Sequence, residues 1–248
     1  MPAMSEDELG RERPAADFPR HNASLPEKRR EVRSFVLRAG RMSPGQRRAY
    51  ERYRDRYCVP YLERPLDLSE LFPGFRDVTV EVGFGMGRAT AEIAASNPET
   101  AYLGIEVHTP GVGKLLSLIV ERGLRNVRII EHDAVAVFTH MIPEESLAGI
   151  HIFFPDPWPK KRHHKRRLVN QVNIGLFLRA LRPGGYIHLA TDWQEYADRI
   201  LETLSNTDGI ENTACGFAPR PAWRPVTAFE RKGSEQGRPV HEIIFRKT

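Results

Sequence analysis

The sequence predicts an α/β fold, a mostly parallel, twisted sheet with helices packed on both faces. From Asp77 onward, short runs rich in β-branched and aromatic residues alternate with stretches whose apolar residues recur at helical spacing. Glycines and acids cluster where the strand-like runs end, the edge at which an open parallel sheet binds ligands. A length of 248 residues suits one domain with a substantial core and a short appendage.

Residues 1–27 mix Pro, Glu, Arg and Ala without periodicity and are expected to form a disordered tail. Residues 28–60 form a basic arm and a helix. Ser43 sits at the cap, Pro44 at the first helical position and Gln46 three beyond the cap. Tyr50, Tyr53 and Tyr57 share one side of that helix, either to pack on the main domain or to stack on bases. The main domain spans 61–248. Its expected strands are Val78 to Val82, Ala101 to Val107, Asn126 to Glu131, Leu147 to Phe154, Tyr186 to Ala190 and His241 to Arg246. Helices are expected from Arg88 to Ser96, Lys114 to Arg122 and Leu168 to Leu181, after Asp133, and from Trp193 through Leu204.

Composition excludes several classes. No apolar run approaches the roughly 20 residues that span a bilayer, and Met1 to Glu12 lack the apolar stretch of a signal peptide. A cytoplasmic protein without a membrane partner is expected. Cys58 and Cys215 stand far apart with no second pair, which fits free thiols and no metal site. The net charge of +5 is unevenly placed: residues 1–60 carry +5, residues 160–167 carry +6, and the remainder is net negative. Concentrated positive charge points to a nucleic acid or another phosphate-rich partner. No obligate protein partner is evident.

The expected chemistry centres on Phe153-Phe154-Pro155-Asp156-Pro157-Trp158, where a strand runs into an acidic turn. Two prolines restrict the backbone around Asp156. Lys160, Lys161, Arg162, Lys165, Arg166 and Arg167 follow, with His163 and His164 between them. Adjacent histidines splay apart, so these two suit polyanion contacts better than metal ligation. Upstream, Gly83, Gly85 and Gly87 form a loop that lets a ligand approach the backbone. Glu81 precedes that loop, and Arg88 stands where a dinucleotide fingerprint wants its third glycine. An acid there repels pyrophosphate and suits a cation, which favours S-adenosylmethionine over NAD. Glu106 is placed to accept from ribose hydroxyls, or is a solvated strand-end acid. Asp133 either accepts from an adenine amine or caps a helix. Asp192, with Glu195 three residues on, either faces substrate or forms a capping box.

These motifs resemble the bacterial single-chain tRNA (guanine-N7)-methyltransferase family. The resemblance rests on Glu81-Val82-Gly83-Phe84-Gly85-Met86-Gly87, Leu103-Gly104-Ile105-Glu106-Val107-His108, His132-Asp133-Ala134, the Pro155-Asp156-Pro157-Trp158 turn with its basic run, Ala190-Thr191-Asp192-Trp193 and Arg224-Pro225-Val226-Thr227-Ala228-Phe229-Glu230. Arg33-Ser34-Phe35-Val36 also fits. The resemblance covers roughly residues 33–246 and implies a Rossmann-like class I S-adenosylmethionine-dependent methyltransferase acting on a guanine in the variable loop of tRNA. It implies cofactor binding by Glu81, Gly83, Gly85, Gly87, Glu106, Asp133 and Asp156, with Asp156 also catalytic. Lys160, Arg162, His163, His164, Lys165, Arg166, Arg167, Asp192, Thr227, Ala228, Phe229 and Glu230 would contact RNA or its guanine. The sequence leaves three rivals: methylation of an exocyclic amine, RNA binding without catalysis, and NAD-dependent redox chemistry. Asp156 in place of an Asn-type amide disfavours the first, the intact glycines and acids the second, and Arg88 with Glu81 the third.

Overall fold

The computed structural model describes residues 34–35 and 40–248. The described residues belong to one compact unit, Val32–Thr248. The expected tail and most of the basic arm lie outside the described residues. Seven strands form one sheet: β1 (Asp77–Val82), β2 (Thr100–Ile105), β3 (Val127–Ile130), β4 (Leu147–Phe153), β5 (Leu181–Thr191), β6 (Ile210–Asn212) and β7 (His241–Lys247). Their order is β3-β2-β1-β4-β5-β7-β6, parallel except that β7 runs antiparallel to both β5 and β6.

Two apolar layers flank the sheet. One holds α5 (Ala134–His140), α6 (Gln171–Ala180) and α7 (Gln194–Ser205), packed on Val78, Val80 and Val82 of β1 and on Ile150 and Ile152 of β4. The other holds α1 (Pro44–Tyr57), α3 (Arg88–Ser96) and α4 (Thr109–Glu121). Because side chains alternate along a strand, Thr79 and Glu81 take the face opposite the three β1 valines. No helix among the described residues is long and apolar enough to cross a membrane.

The helix start at Ser43 matches its expectation: Ser43 Oγ accepts from the Gln46 amide at 3.3 Å and the Ser43 amide donates to Gln46 Oε1 at 2.7 Å. The α1 tyrosines pack on the domain instead of facing outward for bases. Tyr50 donates to Glu131 Oε2 at 2.6 Å, and Tyr53 and Tyr57 lie against the α3–α4 layer. Burial and the Glu131 carboxylate push the Tyr50 phenol up to about 12.

Some boundaries differ from the sequence pattern. α4 starts at Thr109 because Pro110 suits the first turn. Its Gly111 and Gly113 are required by contact, since a Cβ on Gly111 would lie 2.0 Å from the Gly85 carbonyl oxygen. α6 starts only at Gln171 because Asn170 caps it, accepting from the Asn173 amide at 3.0 Å. β5 begins at Leu181, which pairs with Leu147 across an irregular register before regular pairing resumes at Tyr186. α2 (Leu68–Leu71), β6, α8 (Ala228–Glu235) and a 3₁₀ turn over Lys161–Arg166 carry no clear period in the sequence.

A Cβ on Gly113 would stand 2.7 Å from the Gln46 carbonyl oxygen, so α1 and α4 meet backbone to backbone there. Gly113→Ala is expected to cost about 1–3 kcal/mol through overpacking, lowering Tm by roughly 2 °C or more for a domain of this size. Gly45→Ala, where the added carbon meets nothing nearer than 4.0 Å, should leave Tm unchanged or raise it. Scanning calorimetry of the two variants checks the contrast.

Candidate active site

Strand order reverses between β1 and β4, and a cleft of about 620 Å³ opens at their carboxyl ends. Glu81, Gly83, Gly85, Gly87, Glu106, Asp133, Asp156 and Thr227 all line it, so residues spread over 147 positions of sequence meet in one cavity. Ser34, Phe35, His132, Phe153, Phe154, Pro225, Val226 and Arg231 complete much of the wall.

The glycine loop is shaped by need. Gly85 has φ 57°, and a Cβ there would project into open space, so nothing but hydrogen separates its backbone from a ligand. Gly87 has φ 64°, and a Cβ there would strike Leu115 of α4 at 2.7 Å. Glu106 fastens this loop. Its Oε2 accepts from the Gly85 amide at 2.7 Å, and its Oε1 accepts from the Val107 and His108 amides at 2.7 and 3.1 Å. A carboxylate offers about four acceptor positions, so with three amides bound it still has capacity to accept from a ligand hydroxyl.

Glu81 is 3 % exposed, and its Oε2 is buried with no hydrogen-bond partner. Burial, with a smaller push from the charge of Glu106, raises its carboxyl to about 7, while the nearby Thr90 hydroxyl works in the opposite direction. A buried acid with an unmet acceptor beside an open glycine loop suits a cationic group. S-adenosylmethionine, which carries both an ammonium and a sulfonium, fits this donor set. Asp133 caps α5, accepting from the Val135 amide at 3.3 Å, and also lines the cleft. The cap is thus formed, and the same residue keeps a place on the cleft wall.

Asp156 is exposed on the cleft in a turn bracketed by two left-handed residues, Phe154 at φ 53° and Trp158 at φ 45°. Each such non-glycine residue costs about 1–3 kcal/mol and persists only under outside support. The Phe154 amide donates to the Ala190 carbonyl at 2.7 Å. Trp158 Nε1 donates to the Ser34 carbonyl at 3.2 Å, and the Arg166 guanidinium lies 4.0 Å from the Trp158 ring centre while donating to the Phe35 carbonyl at 3.0 Å.

The basic run divides. Lys160, Lys161, Arg162 and Lys165 are exposed. His163 Nε2 accepts from Arg162 Nε at 3.3 Å, and loss of hydration with the surrounding cations lowers the His163 imidazole below its ordinary range. His164 is half-buried. Arg167 departs from the expected RNA-facing set. It is 4 % exposed, donates to the Pro157 carbonyl at 2.8 Å, pairs with Glu195 at 2.5 Å and lies over the Tyr196 ring. Of the two alternatives for Asp192, the capping box is not formed: Glu195 pairs with Arg167, and α7 starts after Trp193 without a side-chain cap.

Asp192 sits at the end of β5 but not on the cleft wall; its Oδ2 pairs with Arg238 at 2.9 Å. Glu230, expected at the substrate, is 8 % exposed and bound to the buried Arg224 at 2.8 Å. The side chains of Ala228 and Phe229 lie outside the described set, although both residues belong to α8. Ser34 and Phe35 reach the cleft from far upstream, and no periodicity in the sequence signals it.

A family model described as "Putative methyltransferase" matches residues 76–243. The tRNA (guanine-N(7)-)-methyltransferase of Nitrosospira multiformis is 52% identical over 218 residues, covering 88% of this chain and 95% of that protein. The protein of the same name from Burkholderia cenocepacia is 50% identical over 244 residues, covering 94% and 96%. Among solved structures, the 16S rRNA methyltransferase KamB aligns with a TM-score of 0.56 at 16% identity, over 73% of this chain and 93% of that one, a likeness of fold. The fold is that of class I S-adenosylmethionine-dependent methyltransferases, and with half of all aligned residues shared across nearly full length, the chain belongs to the tRNA (guanine-N7)-methyltransferase family.

Proposed function

We propose that the protein transfers a methyl group from S-adenosylmethionine to N7 of a guanine in the variable loop of tRNA. The observation that carries this reading is the placement of Asp156 on a cleft walled by Glu81, Glu106 and Asp133, directly before an exposed basic turn. Free Cys58 and Cys215 support a reducing compartment, the cytoplasm.

S-adenosylmethionine, when bound, supplies an electrophilic methyl group. Guanine N7 carries its lone pair in the neutral base, so the protein has no proton to remove before attack. The work of the residues is therefore orientation and charge. Glu81 would hold the cationic end of the cofactor and Asp133 its base, while Glu106 keeps the glycine loop in place. Asp156, fixed by its strained turn, would accept from the guanine N1 and N2 donors, which selects against adenine and offsets positive charge developing on the purine. Asp192, paired with Arg238 just after β5 and off the cleft wall, would reach the guanine only if that pair opens. In A-form RNA the edge bearing N7 is deep and narrow, so the target guanine must lie in a loop or leave its stack. Lys160, Lys161, Arg162 and Lys165 would bind backbone phosphates, joined by exposed arginines of α1 such as Arg48 and Arg52.

The direct test is methyl transfer from labelled S-adenosylmethionine to an unmodified tRNA transcript and to the same RNA carrying 7-deazaguanine. Label on the first alone is expected; equal label on both moves the acceptor to an exocyclic amine.

Cofactor binding should depend on pH with a defined sign. A cationic ligand favours ionised Glu81, whose carboxyl stands near 7 in the free protein, so binding expels a proton below that pH. Affinity should rise by up to about tenfold per unit between roughly pH 5 and 7 and then level. Calorimetry in buffers of different ionisation heat would read the proton release, and Glu81→Gln should abolish it.

Arg162→Ala and Arg167→Ala should separate phosphate contact from packing. Arg162→Ala is expected to leave Tm nearly unchanged and to reduce the salt dependence of tRNA binding by about one unit of slope. Arg167→Ala should lower stability by about 2 kcal/mol, leaving the Pro157 carbonyl without its donor, with no change in that slope. Tm and filter-binding titrations across salt concentrations distinguish the two.

A further inference from the structure

Behind the cleft lies a buried charged cluster that the methyl-transfer chemistry does not use. Arg224 is fully buried. Its Nε donates to Glu242 Oε1 at 2.8 Å, and its Nη2 makes a second, shorter contact to the same oxygen. Its Nη1 donates to Glu230 Oε2 at 2.8 Å and to the Pro225 carbonyl at 3.2 Å. Glu242 belongs to β7 and is 2 % exposed; Glu230 lies in the first turn of α8. One guanidinium therefore spans a sheet strand and the start of a helix, and the short segment it encloses, Pro225 to Thr227, is cleft wall.

The cluster is closed on its other side. His188 Nε2 lies 2.6 Å from Glu242 Oε2, and His188 Nδ1 is buried without a partner. Burial holds this imidazole below its ordinary range. A neutral ring that donates from Nε2 and leaves Nδ1 bare satisfies both facts, since a second buried N–H would need an acceptor. Arg224 is then the single cation serving two buried carboxylates. The Arg224 guanidinium also lies 5.8 Å from the ring centre of Phe153, which lines the cleft. Thr227 continues the chain of support: its Oγ1 accepts from the Glu230 amide at 3.1 Å, and its carbonyl accepts from the Arg231 amide at 3.1 Å.

We infer that Arg224 is the positioning residue for the acceptor side of the cleft: by tying Glu230 of α8 to Glu242 of β7, it fixes Pro225 to Thr227 where the target base must dock. This rests on the methyl-transfer reading above. The glycine loop, Glu106 and Asp133 follow β1, β2 and β3, and Arg224 makes no hydrogen bond to them; its contact nearest the methyl-transfer turn is the Phe153 ring at the end of β4. Its action is therefore expected to fall on the nucleic-acid substrate more than on the cofactor. Arginine is needed because three separate nitrogens are engaged at once, a fork that an ammonium does not reproduce.

The test uses the full-length protein and an unmodified tRNA transcript, with wild-type transfer to N7 established first. If the wild type does not label N7, the functional reading fails before any variant is examined. Arg224→Lys is expected to reduce kcat/KM for tRNA at least tenfold, with S-adenosylmethionine Kd within twofold of wild type. Glu230→Gln cuts only the α8 side and should produce the same substrate-specific loss; if Arg224→Lys does not fold, Glu242→Gln, which cuts the β7 side at a residue with no expected substrate contact, decides the case by the same two readouts. Folded Arg224→Lys protein with wild-type tRNA kinetics overturns the inference, even if Glu230→Gln is impaired, because Glu230 would then act directly. Parallel loss of cofactor and tRNA affinity, in step with a fall in Tm, overturns it as well, since the cluster would then be structural only.

Discussion

The site depends on one topological constraint: right-handed crossovers send the chain to opposite faces of the sheet on either side of β1 and β4. α3 and α4 cover one face as the chain moves outward to β3, and α5 and α6 cover the other as it returns through β4 to β5. Neither set closes the carboxyl ends where the direction changes. Everything chemically useful is set at that gap. β1 supplies Glu81 and leads into the glycine loop, Glu106 directly follows β2, Asp133 follows β3, and β4 delivers the Asp156 turn. The acids converge because their strands do, although each is far from the next in sequence.

Charge is divided by burial as much as by sign. Lys160 and Arg162 stand in water, where a phosphate can reach them, whereas Arg167 and Arg224 are withdrawn from it and committed to carboxylates and carbonyls. Removing water strengthens such contacts and makes their loss costly. The exposed cations thus offer affinity for a polyanion, and the buried ones offer geometry to the turn and to the α8 segment beside it. Glu106 works in the same way on the cofactor side, spending most of its acceptor capacity on the backbone that shapes the loop.

Much of this was legible in the sequence, for identifiable reasons. β1 to β4 are compact β-branched runs that pair with neighbours in a parallel sheet, and the Ser43 cap is a local pattern with a local structure. The strand-end acids could be read because strand ends are where such a sheet binds. What escaped was decided by distant partners. Arg167 and Arg162 are the same residue type five positions apart, and only the Tyr196 ring and the Glu195 carboxylate of α7 distinguish them. Asp192 and Glu195 have capping-box spacing, yet Arg167 claims Glu195 first. β6 is three residues long and exists through its pairing with β7, and Arg224 becomes a hub only because Glu242 lies beside it on the last strand.

The left-handed residues at Phe154 and Trp158 change what the two flanking prolines mean. Proline narrows the conformations of its neighbours, but it does not select the left-handed one, which is unfavourable for a phenylalanine or a tryptophan. That choice is imposed from outside by the Ala190 carbonyl, by the Ser34 carbonyl and by the stacked Arg166. The geometry at Asp156 is thus borrowed from two remote stretches of chain and from the basic turn that follows it, and the turn is a tensioned part of the molecule. A peptide with the same Pro-Asp-Pro sequence, cut free of those contacts, would relax away from the conformation that the cleft requires.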